Sequence, residues 1–98
     1  MDERYRFTAE LWEWSAQGGW FFVTLPAEDS AEIRDQPRPR RGFGSIRVEV
    51  TIGDSRWKTS IFPDSKAGSY VLPVKKAIRV AEDIADGDPI EVEVELLE

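Results

Sequence analysis

Residues 46–62 read IRVEVTIGDSRWKTSIF, and this stretch decides the fold. Apolar and polar residues alternate over 46–52, which is the pattern of a strand with one buried face. Gly53-Asp54-Ser55 predicts a tight turn. A partner strand follows, and one of its faces carries Trp57, Thr59 and Ile61. The stretch therefore predicts an antiparallel strand pair and a β-rich fold.

The residues before this pair predict two strands and a short helix. Alternation begins at Tyr5 and continues to about Trp14, and Gly18-Gly19 then offers the positive φ that a hairpin turn requires. Residues 20–25 are apolar on both faces, which indicates a central strand. Pro26 favours a weak helix near 27–34. The following residues, 35–41, contain two prolines and predict an irregular loop.

After the strand pair of residues 46–62, the sequence predicts a short strand, a helix and a last strand. Residues 70–72 predict a short strand that ends at Pro73. From Val74 the apolar residues recur at helical spacing, which predicts a clear helix near 74–84. The last strand begins at Ile90 and has a solvated face formed by Glu91, Glu93 and Glu95.

The order β-β-α-β thus occurs twice, which suggests an internal duplication. Leu25-Pro26 precedes the first helix and Leu72-Pro73 precedes the second. We expect one mainly β domain over residues 1–98, a small six-stranded closed barrel with pseudo-symmetric halves at about 1–52 and 53–98. Closure removes the exposed edges that such apolar strands would otherwise present.

The composition excludes several classes of protein. A chain of 98 residues has room for one domain. The absence of cysteine and histidine excludes disulfides, thiolate nucleophiles, histidine bases and ordinary structural zinc sites. The net charge of −6 has the wrong sign for a generic nucleic-acid binder. No signal segment is recognisable and no apolar run approaches the roughly 20 residues of a membrane span, so we expect a cytoplasmic protein without membrane contact.

Several motifs resemble a known family. In the first half these are residues 18–20 (GGW), 25–26 (LP) and 42–48 (GFGSIRV), and in the second half 57–63 (WKTSIFP) and 70–79 (YVLPVKKAIR). Together they resemble the bacterial and archaeal family of unknown function called DUF1905, over nearly the whole chain. The resemblance implies a double-split β-barrel similar to that of AbrB-type regulators and MazE-type antitoxins, with both halves fused in one chain. It carries over no catalytic residues.

Two basic clusters are candidates for an anion site. The first lies next to Gly42, Phe43 and Gly44 and consists of Arg34, Arg38, Arg40 and Arg41. Arginine binds carboxylate or phosphate through two parallel hydrogen bonds, and glycine lets a ligand approach the backbone. The alternative is a solvated linker, which remains favoured for Arg38 and Arg40.

The second cluster consists of Lys58, Lys75, Lys76 and Arg79. Lys75 and Lys76 stand where the first turn of the predicted helix disfavours cations, so another group must compensate their charge. Pairing with carboxylates such as Glu82, Asp83 or the glutamates of the last strand is favoured. If that pairing fails, we expect an anion between this helix and residues 57–60.

Four tryptophans form the third feature. We expect Trp20 and Trp57 in the core, and Trp12 with Trp14 is the best candidate for an exposed apolar patch, which a partner or ligand could use.

Enzymatic functions have little support in the residues. Ser45 and Ser60 have no histidine to activate them, and Asp86-Gly87-Asp88 lacks the ligand spacing of a calcium loop. We therefore expect a non-enzymatic binding module without cofactor or metal, which holds a small anion or a protein partner. The residues expected to bind are Arg41, Gly42, Phe43, Gly44, Lys58, Lys75 and Arg79. A DNA-binding regulator of the antitoxin kind is the alternative.

Overall fold

The computed structural model describes residues 4–16, 18–36 and 44–97. These residues form a mainly β protein with a nearly closed, barrel-shaped sheet in the order β1-β7-β4-β5-β6-β3-β2 and two helices on its outside. The elements are β1 Arg4–Glu10, β2 Trp12–Glu13, β3 Phe21–Thr24, α1 Ala27–Asp35, β4 Ile46–Ile52, β5 Ser55–Asp64, β6 Ser69–Pro73, α2 Lys76–Glu82 and β7 Pro89–Leu96.

The predicted antiparallel pair is confirmed as β4 and β5. Their register runs from Ile46 opposite Ile61 to Ile52 opposite Ser55. Gly53 begins the turn with φ of 57°, a conformation that residues with a Cβ rarely adopt. The turn lies against α2, where the Ser55 hydroxyl donates to the Glu82 carboxylate at 2.6 Å. A Cβ on Gly53 would also displace the same carboxylate, which would then have to give up its bond to Ser55.

The predicted number of strands is wrong. The described residues contain seven strands instead of six, because the first long strand is interrupted at Leu11. The Leu11 N–H donates to the Asp88 carbonyl at 2.9 Å, and the Leu11 carbonyl accepts from the Gly87 N–H at 2.7 Å. Before this point the chain pairs with β7, and after it with β3. The interrupted strand therefore connects the two ends of the sheet and nearly closes the barrel.

The two sides of β5 are paired unequally. Towards β4 the pairing covers seven residues, from Ser55 to Ile61. Towards β6 it covers only three residue pairs, from Phe62 opposite Val71 to Asp64 opposite Ser69. No described strand pairs with residues 57–61 on this second side, so the sheet is split between β5 and the end of β6.

The second helix is shorter than the predicted 74–84. Val74 still belongs to the sheet edge, where its N–H donates to the Phe21 carbonyl at 2.9 Å. Lys75 is extended, with ψ of 160°, and the helix begins at Lys76. It ends at Asp83, whose φ of 54° is left-handed. The first helix, predicted at 27–34, is present one residue longer.

The core lies inside the barrel, where the alternating apolar residues of the strands meet. Its largest fully buried side chains are Leu11, Val23, Leu25, Ile33, Val48, Val50, Ile61, Leu72, Val74, Val92 and Val94. Helix α1 is fastened to β6 by the buried Ser30 hydroxyl, which accepts the Tyr70 N–H at 3.0 Å. Neither described helix has the length and apolar character that a bilayer crossing needs.

Candidate ligand-binding groove

A groove of about 280 Å³ opens where the sheet is split. One wall is the unpaired side of β5, and the other is formed by the start of β3 and the residues that lead from β6 into α2. The lining residues are Trp20, Phe21, Trp57, Lys58, Thr59, Pro73, Val74 and Lys75. We call this space the split groove. Pro73 limits the pairing at this point because it has no N–H to donate.

Two lysines line the split groove without an acidic partner. Lys58 and Lys75 are exposed, and within the described part of the chain no ion pair joins either of them to a carboxylate. Glu49 lies opposite Lys58 on β4 but forms no such pair. Of the carboxylates expected to neutralise the cluster, Glu82 binds Ser55 and Glu93 binds two arginines. Two like charges facing one space repel each other, and an anion between them relieves that repulsion.

The walls of the split groove are aromatic. Trp20 was expected in the core, and that expectation is wrong, because half of the residue (50%) is exposed. It projects from the outer face of β3, where its ring stacks on Phe22 at a centroid distance of 6.5 Å. Trp57 is half-buried and packs against the core, as expected. No ring contact joins Trp20 to Trp57, both of which lie in the described residues.

Arg79 lies behind the split groove rather than in it. Its guanidinium is centred 3.9 Å above the Phe21 ring, and its Nε donates to the Val74 carbonyl at 3.2 Å. Both contacts are to residues that line the groove. Arg79 therefore holds this wall of the groove in position, and its positive charge is partly compensated by the face of the Phe21 ring.

Four of the five aromatic residues of the β2–β3 hairpin continue outward from the groove: Trp12, Trp14, Trp20 and Phe22. Trp12 lies opposite Phe22, with ring centroids 5.1 Å apart, and its indole N–H donates to the Thr24 hydroxyl at 2.9 Å. Trp14 is 43% exposed, and its N–H donates to the Trp20 carbonyl. Of the pair expected to form an exposed patch, Trp14 is thus exposed and Trp12 is half-buried.

The structure brings together only part of the expected site. Lys58 and Lys75 share the split groove, with Arg79 behind it. Gly44 lies elsewhere: a Cβ on it would be 3.4 Å from Pro63, which stands five positions after Lys58 and about 16 Å away at the rise of a strand. Arg41, Gly42 and Phe43, like Arg38 and Arg40, lie outside the described residues.

Ion pairs neutralise another part of the same outer face, across β1 and β7. Glu93 accepts from Arg6 at 2.7 Å and lies 3.4 Å from Arg4, which also approaches Glu95. The Arg6 hydrogen bond is the main cause that lowers the pKa of Glu93. Glutamates expected to form a solvated face are therefore partly paired across β1 and β7. In the residues that the structure describes, no acidic group is arranged to hold a metal ion.

Sequence reasoning missed the aromatic wall and Val74. The register of β3 and β6, which the structure supplies, explains their place: Phe22 lies opposite Pro73, so the residues before Phe22 lie beside those after Pro73. Once that register is known, Trp20 and Lys75 fall next to each other.

Comparison with known proteins gives one family. A family model described as "Domain of unknown function (DUF1905)" matches residues 7–94, which is nearly the whole chain. No curated protein matches the chain.

Proposed function

The chain belongs to the DUF1905 family of domains of unknown function, and we propose that it is a non-enzymatic module that binds a small anionic ligand in the split groove. The observation that carries this proposal is the pair of lysines, Lys58 and Lys75, which line one groove without an acidic partner in the described residues. Across β1 and β7, by contrast, Arg4 and Arg6 pair with Glu93 and Glu95.

The backbone of β5 supports the same function. In an antiparallel strand the N–H and C=O groups of alternate residues point to opposite sides. Residues 57–61 pair with β4 on one side only, so part of their backbone groups face the groove. An anion held by the lysines can accept hydrogen bonds from such N–H groups. The absence of histidine and cysteine from the sequence supports binding rather than catalysis.

The test is a thermal-unfolding titration with inorganic pyrophosphate at low salt. A ligand at about 100 times its Kd stabilises a protein by about 2.7 kcal/mol, which is a shift of several degrees in a domain of this size. We expect that shift in the natural chain and its loss in the double variant Lys58→Gln/Lys75→Gln. Lys76→Gln is the matched control, because Lys76 is exposed beside Lys75 but does not line the groove.

An equal shift in the double variant would place the anion elsewhere, with the segment 37–43 and its arginines as the next candidate. Absence of a shift with pyrophosphate, citrate and phenyl phosphate alike would overturn the proposal and leave a protein partner as the ligand.

Duplex DNA is the second arm of the same titration. The alternative of a DNA-binding regulator rests on the resemblance of the fold to antitoxins, and the net charge of −6 opposes it. We expect no shift with a short duplex near physiological salt. A shift that persists there would favour the regulator over the small-ligand module.

We also propose that the barrel is a double-split barrel of two related halves, like the AbrB-type and MazE-type barrels. In support, exchanging β1 and β2 with β5, β3 with β6, and β4 with β7 leaves the strand pairings unchanged. A crystal structure tests this: the halves should superpose by a twofold rotation. A superposition that needs a different rotation, or pairs different strands, would contradict it.

A further inference from the structure

We infer that the ligand of the split groove is an aromatic anion: a planar ring of one or two fused cycles that stacks on Trp20 and carries its phosphate or carboxylate group between Lys58 and Lys75. This inference rests on the proposed function and adds an aromatic ring to the anionic ligand. It is carried by the placement of exposed aromatic surface beside the unpaired lysines.

Trp20 is built as a stacking platform. Half of it is exposed although it is a large apolar side chain, and the Phe22 ring stacks beside it. In the described residues the only cation over a ring face is Arg79 on Phe21, so neither lysine occupies an indole face. The exposed face of Trp20 is therefore open to a planar ligand, which stacks well on an indole.

The register of β3 with β6 places the charged Lys75 next to the indole ring of Trp20. Phe22 lies opposite Pro73, and the Val74 N–H donates to the Phe21 carbonyl. Because Lys75 is still extended, continuing this register sets Trp20 beside Lys75. On the other wall Trp57 and Lys58 are consecutive in β5, so their side chains point to opposite faces: Trp57 packs against the core and Lys58 is exposed. The indole of Trp20 and the two ammonium groups are thus the exposed groups of the groove, and one ligand can meet both kinds of contact.

The size of the groove limits the ligand. Its volume of about 280 Å³ is at the lower end of the range of small-molecule pockets. It is the space of roughly nine water molecules, which suits a single ring system with its acidic group. A longer chain of sugars or nucleotides would extend beyond the groove, over the β2–β3 hairpin.

The test compares ligands that share the anion and differ in the ring. Phenyl phosphate is measured against methyl phosphate, and adenosine monophosphate against ribose 5-phosphate, by calorimetric titration at low salt. We expect the ring-bearing member of each pair to bind roughly tenfold more tightly, which is the scale of one stacking contact.

Variants of Trp20 test whether this residue causes the preference for ring-bearing ligands. We expect Trp20→Ala to lose the preference while it keeps the weaker binding of methyl phosphate, and Trp20→Phe to keep part of it. Trp14→Ala is the control, since Trp14 has similar exposure but does not line the groove. Circular dichroism of each variant establishes that it is folded.

The outcomes separate the two proposals. Equal affinity within each ligand pair, or an unchanged preference in Trp20→Ala, would overturn the inference that a ring stacks on Trp20, while the proposed anion site would stand. Absence of binding by both members of both pairs would overturn the anion site and the ring together.

Discussion

The sheet has a closed side and a split side, and their surfaces differ. On the closed side, β1, β7, β4 and β5 are paired along long stretches, and Glu93 and Glu95 are neutralised by arginines. On the split side, β5 parts from β6 after three residue pairs, and lysines and an indole are left exposed. Both sides are built from the same alternating strands.

The comparison shows what creates a site in so small a barrel. Complete strand pairing places opposite charges in neighbouring positions, where they pair with each other. Where the β5–β6 pairing ends after Val71, the side chains on the two walls have a cross-strand neighbour on one side only. The split therefore produces both the space and the unpaired chemistry that a ligand needs, and the closed side serves as its support.

The largest expected effect concerns the turn of the closed side. Gly53→Ala adds a Cβ at φ of 57° that also collides with Glu82, so we expect a loss of about 2–3 kcal/mol in unfolding free energy. Gly87→Ala is the control, because φ is 90° there but nothing lies within 4 Å of the added Cβ, and we expect about 1 kcal/mol. Chemical denaturation measures both.

Removing the collision partner sharpens this test. The double variant Gly53→Ala/Glu82→Ala should regain part of the stability, since the collision is removed while the backbone strain and the lost bond to Ser55 remain. Phenyl phosphate affinity of folded Gly53→Ala should be unchanged, because the turn does not line the groove. A variant as stable as the Gly87→Ala control would show that the collision has no cost.

A smaller effect is expected at the anchor of the split side. Ser30→Ala removes the buried acceptor of the Tyr70 N–H, and an unsatisfied buried donor costs about 1–2 kcal/mol. Ser65→Ala, at an exposed position, should change the unfolding free energy little. Equal stability of the two variants would mean that Tyr70 finds another acceptor, and that Ser30 does not hold α1 on β6.

The smallest effect is the pH dependence of the closed side. Arg6 holds the pKa of Glu93 below its ordinary value of 4.5, so the pair stabilises the folded state above that value and the contribution is lost as the pH falls. Arg6→Ala should therefore be slightly less stable than the natural chain at about pH 7 and equally stable at about pH 2.

Asp29 provides a control of opposite sign. Burial is the main cause that raises its pKa, and the nearby Glu32 and Glu28 add to it, so its ionised form opposes folding. Asp29→Asn should stabilise the protein slightly at neutral pH, whereas Arg6→Ala destabilises it. Identical pH profiles for Arg6→Ala and the natural chain would contradict the role given to the pair.

Much of the fold could be predicted because alternation reports which face of a strand is buried. The pair β4–β5, the short β6, both helices and the last strand were all visible in it. The break at Leu11 was missed although the apolar phase shifts there, from Phe7, Ala9 and Leu11 to Trp12 and Trp14. A phase shift shows that the buried face changes, but the new partner, β3, is fixed only by hydrogen bonds to the distant turn at Asp88.

The site was harder to predict because it depends on where pairing ends. Lys75 and Lys76 could be selected by their unfavourable position, but only Lys75 lines the groove; Lys58, which also lines it, was selected as a member of the same basic cluster. Trp20 was placed in the core because residues 20–25 are apolar on both faces, yet the outer face of β3 is only partly covered. How much of a strand face is covered depends on the elements that pack beside it, and the pattern of apolar residues within the strand does not show this.

The most direct test of the split groove is to follow the four indole N–H signals by nuclear magnetic resonance while phenyl phosphate is added at low salt. Trp20 and Trp57 line the groove, whereas Trp12 and Trp14 do not. We predict that the Trp20 and Trp57 signals shift with one common Kd while the other two stay in place, and that Lys75→Gln weakens this response. Shifts confined to Trp12 and Trp14 would contradict the account, because the ligand would then lie on the hairpin and not in the split.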